Sequence, residues 1–327
     1  MNRIGWLLAA LVMAALVPAV LGGSELLPRL RSFPPGLLLA LFGMIVLCWT
    51  LNAMRLRLLL GSQGEKIGRL RSLGVIMATE FAICSTPGGS GGPLTLMALL
   101  SRDRVRPAHS GAVFAMDQLN DLLFFLFAVL GIVVYTLFHS FNRSLEGLLI
   151  SSAVLMLATL GLGLVLVRWR RGVMRFNGRL LKRVKVSPLT RRRWARRLLH
   201  FFRAFRATLR LPRRVLALVF GLTCLHWALR YSVLYLVLIG LGGNLQWITS
   251  FLVQVLSLSA GQVSLLPGGA GAAELTSATL LTPMVGKSTA AAAVLVWRVV
   301  TYYFYLVAGG PVFLWLLGRH LLERITR

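Results

Sequence analysis

The chain has 327 residues, 57% of them hydrophobic and only 14% charged, where a soluble domain carries about a quarter charged residues. That balance excludes an ordinary soluble globule. The net charge of +27 would suggest nucleic acid in a soluble chain, but here the basic residues collect between apolar runs, where the positive-inside rule accounts for them.

A helix that crosses a bilayer needs about 20 apolar residues. In chain order, runs near 4–22, 36–58, 109–138, 147–167, 215–240 and 288–317 read as full spans. Two further apolar stretches, 73–100 and 247–285, are broken by Pro and Gly. Alternating strand patterns are lacking, so the predicted fold is an all-α polytopic membrane protein with six spans and two broken hairpins. The first run, with Arg3 ahead of it, also fits a cleaved signal peptide. Cys48, Cys84 and Cys224 lie far apart in apolar sequence and read as packing residues, not as a metal site or a disulfide framework.

Charge sets the orientation. Arg55, Arg57, Lys66, Arg69 and Arg71 precede the first broken stretch, and Arg102, Arg104 and Arg106 follow it. Both flanks are expected in the cytoplasm, so 73–100 enters and leaves on one side as a re-entrant hairpin. Residues 139–146 are then external. Residues 168–214 hold 18 Lys and Arg and no Asp or Glu, which makes that loop cytoplasmic. Residues 241–246 are external, 247–285 opens outward, and the last span returns the C-terminus to the cytoplasm, in agreement with Arg319, Arg324 and Arg327. Within the basic loop, Trp194, Leu198, Phe201, Phe202, Phe205 and Leu209 recur at helical spacing, interleaved with Arg192, Arg193, Arg196, Arg197, Arg203 and Arg206. Over 189–211 this reads as a basic amphipathic helix lying on anionic lipid. An ordinary positive-inside loop is the plainer alternative.

The two hairpin tips repeat one pattern, PGGxG: Pro87, Gly88, Gly89, Ser90, Gly91 in the first, and Pro267, Gly268, Gly269, Ala270, Gly271 in the second. Ala53-Met54-Arg55 and Ala228-Leu229-Arg230 stand on the spans before them. Each half reads as two spans, a hairpin and a span, the first starting inside and the second outside. Residues 1–138 and 147–317 therefore form an inverted-topology repeat within one membrane domain, with the 168–214 loop inserted in the second half. Paired broken segments point to a binding site near the midplane.

Broken helices persist in a membrane only where protein or water covers them. Gly-rich tips present N–H groups, and a half-helix starting there adds a positive dipole end suited to phosphate or carboxylate. Glu274 falls in the first turn after the second tip, either as a carboxylate satisfying local donors or as a contact for a headgroup or coupling proton. Ionisable residues inside spans are functional candidates. Asp117 and Asp121 share one helix face, Arg298 has Tyr302 one turn on, and His226 pairs in spacing with Arg230. The structural reading of each is an ion pair that staples helices.

Leu265-Leu266-Pro267-Gly268-Gly269-Ala270-Gly271-Ala272-Ala273-Glu274 resembles the PGGxGxxE segment of the lysylphosphatidylglycerol synthase transmembrane-region family, also called flippase-like. Val296-Trp297-Arg298-Val299-Val300-Thr301-Tyr302-Tyr303 is similar to that family's next span with its R-x-x-x-Y pattern, and His226-Trp227-Ala228-Leu229-Arg230-Tyr231 to its Arg-bearing span. The first half departs: that tip often carries a Gly-x-Gly-Glu-like sequence, whereas this chain has Gly91-Gly92-Pro93. In the fused enzymes of that family a soluble domain makes lysyl-lipid and the membrane part flips it. No stretch here could form such a domain, so the resemblance implies translocation of a phospholipid or lipid-linked substrate in a bacterial inner membrane, without synthesis, cofactor or metal. Partner enzymes are not indicated.

Three other classes stand beside that one: a membrane scaffold or regulator, an embedded lipid-modifying transferase, and an intramembrane serine hydrolase. The last draws on Gly88, Ser90 and Gly92, a literal G-x-S-x-G that also resembles the GxSG of rhomboid proteases. It needs a positioned base, and His226 is the embedded His at hand. The position one turn on, where rhomboids usually have Gly, is Arg230.

The charge pattern predicts that residues near 103 and 180 face the cytoplasm and residues near 143 and 286 the exterior. Single-cysteine labelling in intact cells tests this; labelling at 143 only after permeabilisation would overturn the inverted repeat.

Overall fold

The computed structural model describes residues 3–138, 187–264 and 266–325, with isolated positions between 154 and 172. The predicted span 147–167, the external loop 139–146 and most of the loop 168–186 lie outside the described residues. Among the described residues every regular element is helical, and the chain is an all-α polytopic membrane protein. Five segments have the length and apolarity to cross a membrane: Leu7–Arg31, Pro35–Leu60, Pro107–Val134, Arg213–Gly240 and Lys287–Leu317. They match five of the predicted spans.

In chain order the helices are α1 (Arg3–Gly22), α2 (Leu26–Arg31), α3 (Pro35–Leu60), α4 (Ser62–Lys66), α5 (Arg69–Ser85), α6 (Gly91–Arg102), α7 (Pro107–Phe138), α8 (Pro188–Leu209), α9 (Arg213–Gly240), α10 (Trp247–Val263), α11 (Ala272–Val285), α12 (Lys287–Arg298) and α13 (Phe304–Ile325). Both broken stretches are helical hairpins. A single 3-10 turn, Pro87–Gly89, joins α5 to α6, and a matching turn, Pro267–Gly269, stands between α10 and α11. The short helices α2 and α4 had no counterpart in the hydropathy reading.

The chain forms two compact bodies. The first comprises Met1–Met54, Gly68–Leu99 and Leu225–Arg327. At its centre runs α12, whose Ala290, Ala291, Ala292 and Ala293 are all fully buried. In lipid, helices associate by close packing and not by expulsion from water, so small residues mark the seams. The alanine run lets α1, α2 and α11 all lie against α12. On α1 the matching contacts are Ala10 and Ala14, again fully buried. The last helix uses the same device: a Cβ at Gly309 would overlap the Met77 carbonyl and Phe81, so α13 and α5 approach closely, with Phe81 and Phe313 ring centroids 5.0 Å apart. Trp49 of α3 stacks on Phe304 at 5.2 Å and meets Tyr305 edge-on at 5.1 Å.

The second body comprises Arg55–Ile67 and Leu100–Cys224. Its α8 is the predicted amphipathic helix, started by Ser187, whose hydroxyl accepts from the Thr190 amide at 3.4 Å, with Pro188 at the first position. Part of the apolar face goes to protein. Phe202 and Phe205 are buried as α8 packs against α7, while Arg192, Arg193, Arg196, Arg197, Arg203 and Arg206 remain exposed. Leu189 and Leu209 stay exposed together with these arginines and are left for other partners. The Trp194 side chain lies outside the described residues.

Arg55 organises this body. Its Nη2 lies 2.5 Å from Asp117 Oδ1 and 2.9 Å from Asp121 Oδ1, and its side chain is 1% exposed. Asn120, between them in sequence, is buried and donates to the Met116 carbonyl at 2.8 Å. Breaking a buried charge pair costs about 3–5 kcal/mol, whereas apolar replacement of the whole group is often neutral. Arg55→Ala is therefore expected to destabilise the protein by ~3–5 kcal/mol in thermal unfolding in detergent. Arg55→Met combined with Asp117→Asn and Asp121→Asn is expected to recover most of the loss. Equal damage from both would show that the charges do not set the cost.

Candidate functional site

Both tips are built by the same backbone logic. Thr86 and Leu266 are extended and end the preceding helical path. The Pro then fixes one φ, and two glycines with positive φ (57° and 67° at Gly88 and Gly89, 64° and 68° at Gly268 and Gly269) reverse the chain. The two turns are in contact with each other. Four segments, the two tips together with α5 and α10, thus converge in the first body.

The tip amides differ from expectation. Gly-rich tips were expected to offer their N–H groups to a ligand. Instead Gly89 donates to the Thr86 carbonyl at 3.2 Å, Ser90 to Pro87 at 3.3 Å, Gly269 to Leu266 at 3.1 Å and Ala270 to Pro267 at 3.3 Å. The Gly91 amide donates to the Thr86 hydroxyl at 2.8 Å, and that hydroxyl donates to the Ala82 carbonyl at 2.6 Å, tying both arms of the first hairpin. Ser264 does comparable work in the second, accepting from the Leu266 amide and donating to the Ala270 carbonyl, each at 3.2 Å. A 3-10 turn closes most of its own donors, and two hydroxyls close others.

What the second tip offers is carbonyl oxygen. Arg298 Nη1 donates to the Gly268 carbonyl at 3.4 Å, and Tyr302 Oη to the Pro267 carbonyl at 3.3 Å. Arg298 Nε lies 2.6 Å from Glu274 Oε1, with the two side chains 3% and 0% exposed. The N–H is not aimed along that contact, so the pair is held by charge and not by an aligned hydrogen bond. Among the described residues Glu274 Oε2 and Arg298 Nη2 have no hydrogen-bond partner. The guanidinium also lies 5.1 Å from the Trp297 ring centroid and 5.4 Å from that of Tyr302. Of the two readings of Glu274, capping of local donors is not what the geometry shows; the carboxylate reaches across to α12.

A π-turn, Val299–Tyr303, follows Arg298, includes Tyr302 and stands between α12 and α13. Such bulges recur at functional sites because they loosen the i→i−4 ladder and free a carbonyl. Here the Thr301 carbonyl accepts from Arg230 Nη2 at 3.2 Å, while the Arg230 guanidinium lies 5.1 Å from the Tyr305 ring centroid. Glu80 of α5 is within electrostatic reach of Arg230. Each hairpin therefore brings one carboxylate towards one arginine. Asp117 and Asp121 belong to the Arg55 cluster of the second body.

Ser90 is exposed and donates to its own Pro87 carbonyl at 3.1 Å. His226 is buried, with Nδ1 3.3 Å from the Cys48 carbonyl. The nucleophile–base pair of the hydrolase reading is not formed. Among the described residues no cluster of three His, Cys, Asp or Glu is placed to hold a metal.

With this geometry in view, residues 6–309 match the family described as the lysylphosphatidylglycerol synthase TM region. The chain belongs to that family. It is similar to a UPF0104 membrane protein of Archaeoglobus fulgidus, 26% identical over 274 residues, covering 82% of each chain. A second UPF0104 membrane protein, of Methanothermobacter thermautotrophicus, is 25% identical over 311 residues, covering 92% of this chain and 91% of that one. The match runs through both tips and both arginine-bearing spans of the first body.

Sequence reasoning found Glu274, Arg298, Tyr302 and Arg230 but passed over Thr86, Ser264 and Gly261. The first two look like any hydroxyl in an apolar helix, and a partner five or six residues away in a turn leaves no periodic trace. Gly261 matters through close approach: a Cβ at Gly269 would overlap its backbone, and a Cβ at Gly268 would overlap the Tyr302 ring. Gly88 meets nothing, although its φ is also positive. Gly88→Ala and Gly269→Ala should each cost about 1–2 kcal/mol in backbone strain, and Gly269→Ala a further ~1–3 kcal/mol in overpacking. Thermal unfolding of the two variants checks this; equal losses would mean that the Gly261–Gly269 approach is not specifying.

Proposed function

We propose that the protein translocates a phosphate-bearing lipid between leaflets, with the converging tips, Arg298 and Arg230 as its headgroup site. The observation that carries this reading is the buried Arg298–Glu274 pair at the second tip. An arginine fork matches phosphate geometry in two parallel bonds. Here it is held by one carboxylate contact and one long carbonyl bond, an arrangement that a phosphate can replace. Buried ion pairs are poor stabilisers against apolar packing, so keeping one on a helix whose other buried residues are almost all apolar calls for a use.

The two halves support alternation. Arg55 on α3 crosses to Asp117 and Asp121, 30 and 34 residues after Pro87. Arg230 on α9 crosses to Thr301, 34 residues after Pro267. In each half the span before the hairpin thus binds the span after it at a corresponding position, as an inverted repeat requires. Such a repeat opens one site to each side in turn. The family resemblance implies a bacterial inner membrane, and the Lys/Arg distribution orients both termini towards the cytoplasm. The exposed arginine face of α8 is suited to anionic lipid headgroups through charge. The family description names a synthase for a phospholipid, and a lipid is the substrate class proposed here; no covalent step is assigned to this chain.

Transport of fluorescent phospholipid in proteoliposomes tests the reading. Arg298→Ala is expected to slow transport about 10- to 100-fold, the equivalent of ~1.5–3 kcal/mol for a charged hydrogen bond, while the protein still inserts and purifies. Arg298→Lys should recover part of the rate, since charge returns without the fork. Native rates in both Arg298→Ala and Glu274→Ala would remove this site, and unfolded variants would assign the pair to structure.

A further inference from the structure

Resting on the translocation reading, we propose that Glu274 exchanges its arginine for a proton each time an anionic headgroup occupies the site. One proton then crosses with each lipid anion.

The argument starts from charge balance. Glu274 is fully buried, and its nearest cation is Arg298, 2.6 Å away. Its second oxygen has no hydrogen-bond partner among the described residues, so no local donor stands ready to hold the carboxylate if the arginine leaves. The helices packed against α11 are α1, α10 and α12, and the second tip precedes it in the chain. Among the described residues, α10 and the tip contain no ionisable side chain, and α1 contributes only Arg3 at its start. Helix α12 contributes Lys287 at its far end and Arg298. Beyond it, Tyr302 and Tyr303 are within electrostatic reach of Glu274, and a neutral phenol does not replace a guanidinium.

A phosphodiester headgroup carries one negative charge and takes two parallel bonds from an arginine. When it occupies the Arg298 fork, the positive charge is already matched, and an ionised Glu274 would be left without a counter-charge in low dielectric, which is too costly to persist. Hydronium gives a proton to the carboxylate and leaves as water; no bond in the lipid breaks. When the lipid departs on the other side, Arg298 returns to Glu274 and the proton is released there. Lipid anion and proton move together with no net charge.

The test uses the full-length protein in liposomes carrying fluorescent phosphatidylglycerol or phosphatidylinositol, both phosphodiesters of one negative charge, one lipid per preparation. A gradient of about one pH unit should drive the wild-type leaflet ratio about tenfold towards the alkaline side, and a membrane potential alone should leave the ratio unchanged. Glu274→Gln cannot take the proton, and its ratio should stay near unity under the same gradient. If wild type moves either lipid but the ratio ignores the pH gradient, the proton exchange is wrong and the translocation reading stands. A response to membrane potential alone, or a tenfold ratio in Glu274→Gln, also overturns it. Failure of wild type to move either lipid removes the translocation reading and the proton exchange together.

Discussion

A carboxylate and a guanidinium facing each other inside a membrane protein impose a demand that propagates outward. Neither Glu274 nor Arg298 is tolerable alone in low dielectric, so α11 and α12 must hold them in register. For Glu274 to reach that register, α11 must begin where the second hairpin turns, which requires the positive φ angles of Gly268 and Gly269. For the turn to sit there, α10 must pass within backbone contact at Gly261, and the Tyr302 ring must lie against Gly268. The alanine run of α12 lets α1 and α11 close around the pair. One ion pair thus constrains a glycine turn, a seam of small residues and an aromatic ring.

Arginine plays the same part at three places, each with different compensation. Arg55 is matched by two carboxylates, Arg298 by one carboxylate and a carbonyl, and Arg230 by a carbonyl, an aromatic face and the field of Glu80. The Arg55 cluster has acid in excess and reads as a staple between α3 and α7. Arg298 and Arg230 are the less fully matched, and both meet the strand of helix around the π-turn. The bulge stands between Arg298 and the residues Phe304 and Tyr305, which meet Trp49 stacked and edge-on respectively. The part of the last span that meets the tip is thereby separated from the part anchored in the aromatic core.

Much of this was legible beforehand, and the reasons are local. A bilayer imposes a length on each apolar run, and that length can be counted in one stretch of sequence; five spans and both hairpins follow from it. PGGxG announces a turn because proline and glycine restrict or release the backbone at their own positions. An ionisable residue in an apolar helix is conspicuous, which is how Glu274, Arg298, Arg230, Asp117 and Asp121 stood out. The basic, aromatic periodicity of α8 was equally plain, but periodicity says that a face is apolar, not what covers it. Lipid and α7 satisfy phenylalanine alike.

The sequence by itself therefore determined the membrane setting, the helical class, the places where helices break and the charged residues that need an explanation. Only the tertiary structure decided who answers whom. It matched Arg55 to Asp117 and Asp121 across 62 and 66 residues. It gave Glu274 an arginine where a helix terminus would also have served, closed several of the tip amides on their own turns, and turned the second tip's carbonyls towards Arg298 and Tyr302. Local chemistry states that a buried charge or amide must have a partner. Which partner it has depends on which distant backbones can approach, and that is set by the small residues at the seams acting together.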